Sequence, residues 1–325
     1  GVVAAAEAAA AGAPACAGEL TDYMNRCTFD MFNAVLLGRA TRTADPNSPR
    51  RDEGDLAFAQ NAALTFENLG KLGQSILEPV GHKLGFPLRM KRTFDSAFGR
   101  CLVHSRRLSA EVLAREAAGK LTEEEEASYL IRAVRRAREE EDKDLEQATA
   151  EMVSSLLLAA VDTTATTANW VLLHLARNPE AQDRLHAELT NVLGGGPLTR
   201  EAVEEGRLPY LNAVIREAHR ITPGVPIVPI KQVERSGVVV CGHELPEGSM
   251  VAFTQVPLSQ DPEVAPEPKA FRPERFLPDA VEARKGTPAE VLDHTLMSSP
   301  FSAGARRCPG SRVAGLEIRA LLTAL

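Results

Sequence analysis

Three groups of residues have the types and spacing that chemistry needs. In the first, Phe301-Ser302-Ala303-Gly304-Ala305-Arg306-Arg307-Cys308-Pro309-Gly310, a glycine-bearing loop delivers a cysteine onto the start of a helix. Backbone N–H groups and the positive end of the helix dipole favour thiolate over thiol there. Arg306 and Arg307 add positive charge. A thiolate so placed is a soft metal ligand whose electron density the same N–H groups tune. A cysteine before a helix is a weak signal alone, but the full pattern F-x-x-G-x-R-x-C-x-G is a strong one. In the second group, the apolar run Leu156–Val161 is interrupted by Asp162, Thr163 and Thr164. Burying such groups without partners is costly. They belong either to a polar helix face, with threonines bonding back to carbonyls, or to a site. In the third, Glu217 and Arg220 stand three apart on one helix face. By themselves they are an ordinary ion pair of small value.

The elements that must position these groups are mostly helical. Apolar spacing predicts helices over 19–38, 55–77 and 91–117, separated by a polar loop at 39–54 and an irregular, Pro- and Gly-bearing stretch at 78–90. Leu121-Thr122 followed by four glutamates is a capped helix start, and 125–142 is a solvated face of alternating charge. A long helix runs over about 143–177 and stops at Asn178-Pro179. A second helix over 180–193 stops at a glycine run, which lacks the Lys-Ser of a phosphate loop. Short helices at 199–205 and 208–221 follow. Short strands and turns fill 223–256, with Gly237–Gly242 and Met250–Val256 strand-like. Residues 257–300 are proline-rich and aperiodic, and a last helix spans 309–325.

Bulk properties narrow the class. A chain of 325 residues with 25% charged and 44% hydrophobic residues can bury a sizeable core. The net charge of −7 does not point to nucleic acid. Five scattered cysteines, none in a CxxC, argue against a disulfide framework and a structural zinc site, and fit a reducing compartment. No span is expected to cross a bilayer, which needs ~20 apolar residues. The chain starts without methionine and is expected to begin inside a longer protein.

The segment around Cys308 resembles the haem-binding loop of the cytochrome P450 family. The resemblance covers roughly 19–325 and is strongest from 150 on. It implies a mainly α (α+β) fold, a helical prism with a small β portion. Residues 1–325 would form one incomplete domain that lacks the family's N-terminal part and C-terminal strands. The implied cofactor is haem b (iron protoporphyrin IX), with Cys308 as its axial thiolate. Phe301 would pack beside the porphyrin, Gly304 would permit the sharp turn, Arg306 would pair with a propionate, and Gly310 completes the motif. In the family an E-x-x-R helix precedes a Pro-Glu-Arg-Phe segment and then the cysteine loop; here Pro273-Glu274-Arg275-Phe276 lies between the two in that order. The resemblance implies a buried structural network of Glu217, Arg220 and Arg275. It also implies a proton relay by Asp162 and Thr163, with Ala159 and Ala160 leaving room for oxygen and substrate. The family more often has glycine at position 160, and an arginine near Ile230 that Lys231 would partly replace.

The chain is most similar to the mitochondrial-type clan, whose members hydroxylate sterols and related lipids. The implied function is haem-thiolate monooxygenation of a small apolar, sterol- or lipid-like substrate by dioxygen. The electron donor, a ferredoxin-type or flavin reductase, would dock near Arg216 and Arg307. A haem-thiolate isomerase or dehydratase, and a non-catalytic haem-binding fragment, remain as alternatives. An intracellular, membrane-associated location is expected, mitochondrial or at the endoplasmic reticulum.

Overall fold

The structure, a computed structural model, describes residues 17–45, 47–48, 52–74, 89–140, 143–196, 198–204, 206–224, 230–252, 254–294, 297 and 300–324. Of the stretch expected to be irregular at 78–90, residues 78–88 lie outside them, as does the segment 225–229, while Arg89 and Met90 already belong to a helix. The chain divides into two compact units, Gly1–Thr166 and Thr167–Leu325.

The first unit is helical. Helix α1 (Ala17–Leu37) buries Met24, Thr28, Phe29, Phe32 and Leu36, a run of helical spacing along one face. α2 (Glu53–Gln74) and α3 (Arg89–Ala117) run antiparallel. Arg100 meets Asn61, the Cys101 thiol points at the Phe58 carbonyl, and His104 meets Asp55. Phe29 packs on Phe58 with ring centroids 5.0 Å apart.

Gly38 closes α1 with φ +68, and a side chain there would collide with the backbone of Glu124 and Glu125. That close approach seats α4 (Glu123–Glu126), whose predicted cap is a reciprocal capping box. Glu125 N–H donates to Thr122 Oγ1 and Thr122 N–H to the Glu125 carboxylate, each at 3.2 Å. α5 (Tyr129–Glu139) buries Leu130, Ile131, Val134 and Ala137. Its opposite side is the expected charged face, where Arg135 pairs with Glu116 and Glu126, and Arg138 with Glu116 and Glu146.

α6 (Lys143–Arg177) is continuous, and its Glu146–Arg177 portion is long and apolar enough to cross a membrane by length and composition, contrary to the sequence expectation. The reason is that scattered polar residues break its apolar run without lowering the average enough. In the first unit it buries Val153, Leu157, Val161 and Ala165, and the Val161 carbonyl takes a side-chain hydrogen bond from Thr28.

In the second unit, α7 (Pro179–Leu193) ends at Gly194 in the left-handed conformation, as the glycine run predicts. α8 (Arg200–Glu204) and α9 (Pro209–Ile221) follow. α9 begins with Pro209, and its first free N–H groups, on Tyr210 and Leu211, both donate to the Glu188 carboxylate of α7, at 2.7 and 2.8 Å. Strand β1 (Ile230–Gln232) pairs antiparallel with β4 (Met250–Ala252), Lys231 opposite Val251. β2 (Val238–Val240) and β3 (His243–Leu245) form a hairpin. The sequence reading extends the first of these strands to Gly242. Instead the chain turns at Cys241-Gly242, both at positive φ (51° and 81°), as a two-residue hairpin turn requires. The strand expected over Met250–Val256 ends at Ala252, and α10 (Val256–Ser259) starts at Val256.

The proline-rich stretch forms single turns: 3₁₀ segments at Pro273–Phe276 and Pro288–Asp293, with α11 (Pro278–Ala283) between them. α12 (Ser311–Thr323) is the last helix. Its Ile318 and Leu322 join Leu185, Leu208, Leu211 and Val214 in one apolar cluster.

Candidate active site

The cysteine loop is built by its backbone. Cys308 N–H donates to the Phe301 carbonyl at 3.0 Å, closing the loop on itself. Within it, Gly304 has φ +78 and open space where a side chain would stand, and Arg307 N–H donates to the Gly304 carbonyl at 3.1 Å. Ser302 also adopts φ +60, a conformation that costs a non-glycine residue about 1–2 kcal/mol. Sequence reasoning missed that strained position, since serine carries no mark of it. Gly310 caps α12, so Cys308 stands two residues outside the helix. Its side chain is exposed, while Phe301 is half-buried. The Arg306 side chain lies outside the described residues.

Behind the loop in sequence, the expected charge network is present. Glu217 is fully buried, and its carboxylate accepts four hydrogen bonds. They come from Arg220 Nε (2.7 Å) and Nη2 (2.8 Å), Arg275 Nε (3.2 Å) and the Arg272 backbone N–H (3.0 Å). Arg220, also buried, spends its remaining N–H groups on the carbonyls of Ser259 (2.7 Å) and Pro268 (2.8 Å). Arg275 reaches the Glu267 carbonyl at 2.9 Å. Burial lowers the Arg275 pKa, and Glu217 opposes that shift. The Glu217 carboxylate thereby ties its own helix to the segment Arg272–Arg275, and the two arginines extend the tie to Ser259 and to the carbonyls of Glu267 and Pro268.

Several neighbours carry chemistry that spacing does not reveal. Asp293 holds Arg284 (2.5 Å) and Arg216 (2.9 Å), and both guanidinium groups lie over the Phe276 ring, at 5.4 and 4.2 Å. Burial raises the Asp293 pKa, but the two arginines outweigh it and the net shift is downward. Arg216 thus shares one carboxylate with Arg284 and is partly buried, whereas Arg307 is exposed. His219 is buried; its Nε2 faces the Gln255 amide at 3.0 Å, and its Nδ1 has no partner among the described residues. Burial pushes its pKa down to about 4. Glu317 of α12 is 3% exposed, both carboxylate oxygens have no partner among the described residues, and burial lifts its pKa to about 9. Lys231 is exposed on β1 and lines an open cavity of ≈ 460 Å³ with Arg235, Val233 and Val251.

The acid–alcohol pair lies in the first unit. Asp162 is half-buried, and burial raises its pKa to about 6, so the carboxyl holds a proton up to near-neutral pH. The Thr163 hydroxyl donates to the Ala159 carbonyl at 3.0 Å, the back-bonding weighed in the sequence reading. The helix stays α-helical through Ala159 and Ala160, the first exposed and the second half-buried.

A mainly helical chain with a glycine-turned cysteine loop ahead of its last helix, and a buried E-x-x-R network before it, defines a haem-thiolate class of protein. The family model described as Cytochrome P450 matches residues 5–325, and the chain belongs to that family. It is 37% identical over 174 residues to the mitochondrial sterol 26-hydroxylase of Rattus norvegicus, covering 52% of this chain and 31% of that one. Similarity to the geraniol 8-hydroxylase of Swertia mussotii is nearly equal, 36% over 174 residues, 54% of this chain and 33% of that one. With the 2-hydroxyisoflavanone synthase of Glycine max it shares 29% over 219 residues, 66% and 41% of the two chains. The chain thus spans about a third of the length of the curated relatives it matches. Members of the family bind haem b through a cysteine thiolate. The residues present fit that group: the Cys308 side chain is exposed, on a loop whose turn at Gly304 leaves open space.

Proposed function

We propose that this chain belongs to a monooxygenase that places one atom of dioxygen in an apolar C–H bond of a sterol- or lipid-like substrate, reducing the other to water. The observation that carries the reading is the exposed Cys308 on a self-closed turn, inside a chain that matches the family over nearly its whole length. Haem held there by the Cys308 thiolate would supply the dioxygen activation.

The chain's own residues do the rest. Cys308 is the ligand, Phe301 shields the sulfur, and Gly304 and Gly310 shape the turn. Arg306 and Lys231 serve the propionates. Ala159 and Ala160 leave room beside the helix, and Asp162 and Thr163 pass protons inward. A carboxyl with a pKa of about 6 both gives and regains a proton near neutrality, which suits it to general acid work. Glu217, Arg220 and Arg275 have a structural role, and residues 1–325 are read as belonging to a single domain.

Substrate class rests on two nearly equal similarities, to a sterol hydroxylase and to a geraniol hydroxylase, which share only an apolar substrate by name. Electrons come from a ferredoxin-type or flavin partner. Of the two arginines expected to steer it, Arg307 is the better placed, because Arg216 is already paired with Asp293. The protein is membrane-associated, mitochondrial or at the endoplasmic reticulum; the name of the sterol 26-hydroxylase supports the mitochondrial choice.

The test is the ferrous–CO spectrum of the full-length protein. A thiolate-type Soret band is expected, and Cys308→Ser abolishes it with the fold retained by circular dichroism. An unchanged band in that variant removes Cys308 as the ligand. A requirement for reductant and dioxygen during turnover separates monooxygenation from isomerisation or dehydration.

A further inference from the structure

Helix α1 places one buried hydroxyl against α6 immediately before the acid–alcohol pair. Thr28 is completely buried, and its Oγ1 lies 3.0 Å from the Val161 carbonyl of α6. The same oxygen lies 3.0 Å from the Met24 carbonyl and 3.1 Å from that of Asn25, both on its own helix. One hydroxyl has a single proton, so three carbonyls compete for it. Satisfying Met24 or Asn25 adds nothing between helices. Satisfying Val161 ties α1 to α6 at the residue that precedes Asp162.

That position has leverage. In a helix, the carbonyl of Val161 is the acceptor for the N–H of Ala165, so a second donor on it bears on the turn that spans Asp162 and Thr163. Thr163 already donates back to the Ala159 carbonyl, which loosens helices at the same turn. Among the residues next to Thr28 on its own face, Asn25 is buried, and its Oδ1 has no partner among the described residues. No nearby charge contributes to the raised pKa of Asp162, which burial alone accounts for. The orientation of the acid is thus left to packing and to backbone hydrogen bonds rather than to an ion pair.

We propose that Thr28 is a positioning residue for the Asp162–Thr163 pair, its hydroxyl clamping the Val161 carbonyl and so fixing the turn that carries both side chains. The proposal rests on the reading that this pair handles protons. Thr28 touches no reacting atom itself.

The test uses full-length, haem-loaded protein and the variants Thr28→Val, Thr28→Ser and Thr163→Ala. Valine keeps the shape and removes the hydroxyl; if Thr28→Val fails to load haem, Thr28→Ala replaces it. The first readout is amide hydrogen exchange over residues 159–167 without reductant. Exchange is expected to speed up several-fold in Thr28→Val and to return to the wild-type rate in Thr28→Ser. The second is titration of the Asp162 carboxyl by ¹³C NMR, expected to shift in Thr28→Val and be restored by serine. The third, with cholesterol as probe, is product formed per reductant consumed, expected to fall several-fold in Thr28→Val. Wild-type exchange and titration in Thr28→Val overturn the clamp, as does a Thr28→Ser that behaves like valine. Unchanged coupling in Thr163→Ala instead overturns the proton reading, while the exchange data still judge the clamp.

Discussion

Glu217 and Glu317 are both glutamates on helices of the second unit, almost equally withdrawn from solvent, at 0% and 3% exposure. Glu217 accepts four hydrogen bonds, three from guanidinium groups and one from backbone. Glu317 accepts none among the described residues. Burial therefore does not decide what a carboxyl does; its partners decide. With arginines around it, the carboxylate is a charged rivet between α9 and the chain around Pro273–Phe276. Without them, the cheapest state is the neutral acid, and the group holds its proton to about pH 9.

The largest effect is expected where the rivet is broken. Glu217→Ala leaves Arg220 and Arg275 as buried cations facing no carboxylate. Loss of one member of a buried charge network costs about 3–5 kcal/mol. Urea unfolding should show a fall of that size. A loss under ~1 kcal/mol, the scale of an exposed pair, would mean that water reaches the network and that the two glutamates differ less than their geometry indicates.

The second prediction attacks the comparison from the other side, through pH. The Glu317 pKa is raised from 4.5 to about 9, so the folded state keeps a proton that the unfolded chain releases. Its stabilising contribution is complete below pH 4.5 and is lost as pH rises toward 9. His219 behaves in the opposite sense. Its pKa is lowered from 6.5 to about 4, so the unfolded chain takes up a proton that the folded state refuses. Its contribution is complete above pH 6.5 and is lost as pH falls toward 4. The two slopes oppose each other between pH 4.5 and 6.5, and above that Glu317 acts alone. Glu317→Gln should then stabilise the protein by up to about 5 kcal/mol at pH 8 while changing little at pH 4.5. Equal effects at the two pH values would show that Glu317 is ionised and partnered.

How much of this was legible beforehand follows from the range of the interactions. The helix over Ala17–Leu37, the capped start at Thr122 and the stop at Gly194 depend on neighbours within a few residues, and the sequence displays those neighbours. The cysteine loop and the Glu217–Arg220–Arg275 set were legible as motifs, the second only by resemblance, because Arg275 stands 58 residues from Glu217. The hairpin turn at Cys241-Gly242 was not, because cysteine seldom signals positive φ. Nor was the cap that Glu188 supplies to α9 from 22 residues away, or the pairing of Arg216 with Asp293 at 77. The Thr28–Val161 contact spans 133 residues and leaves no local trace. Glu317 is the limiting case, because the absence of a partner becomes visible only after every neighbour is in place.

The smallest effect belongs to a third carboxylate, which completes the series. Glu274 neighbours Arg275 in the same short turn and receives Arg184 at 2.9 Å and the Tyr210 hydroxyl at 3.1 Å. Its partners resemble those of Glu217 in kind, and Arg184 also lies 4.4 Å over the Tyr210 ring. The difference is exposure: the Arg184 and Glu274 side chains are 51% and 48% accessible. Water replaces whatever is removed there, so Tyr210→Phe should cost no more than about 1 kcal/mol, the net value of an ordinary hydrogen bond. Raising the salt concentration should reduce the Arg184–Glu274 contribution while leaving that of Glu217 nearly unchanged, because screening acts on solvated pairs. A Tyr210→Phe loss approaching that of Glu217→Ala would mean that the contact at Glu274 is closed to water in solution. Partners and burial would then no longer separate the rivet from the surface pair.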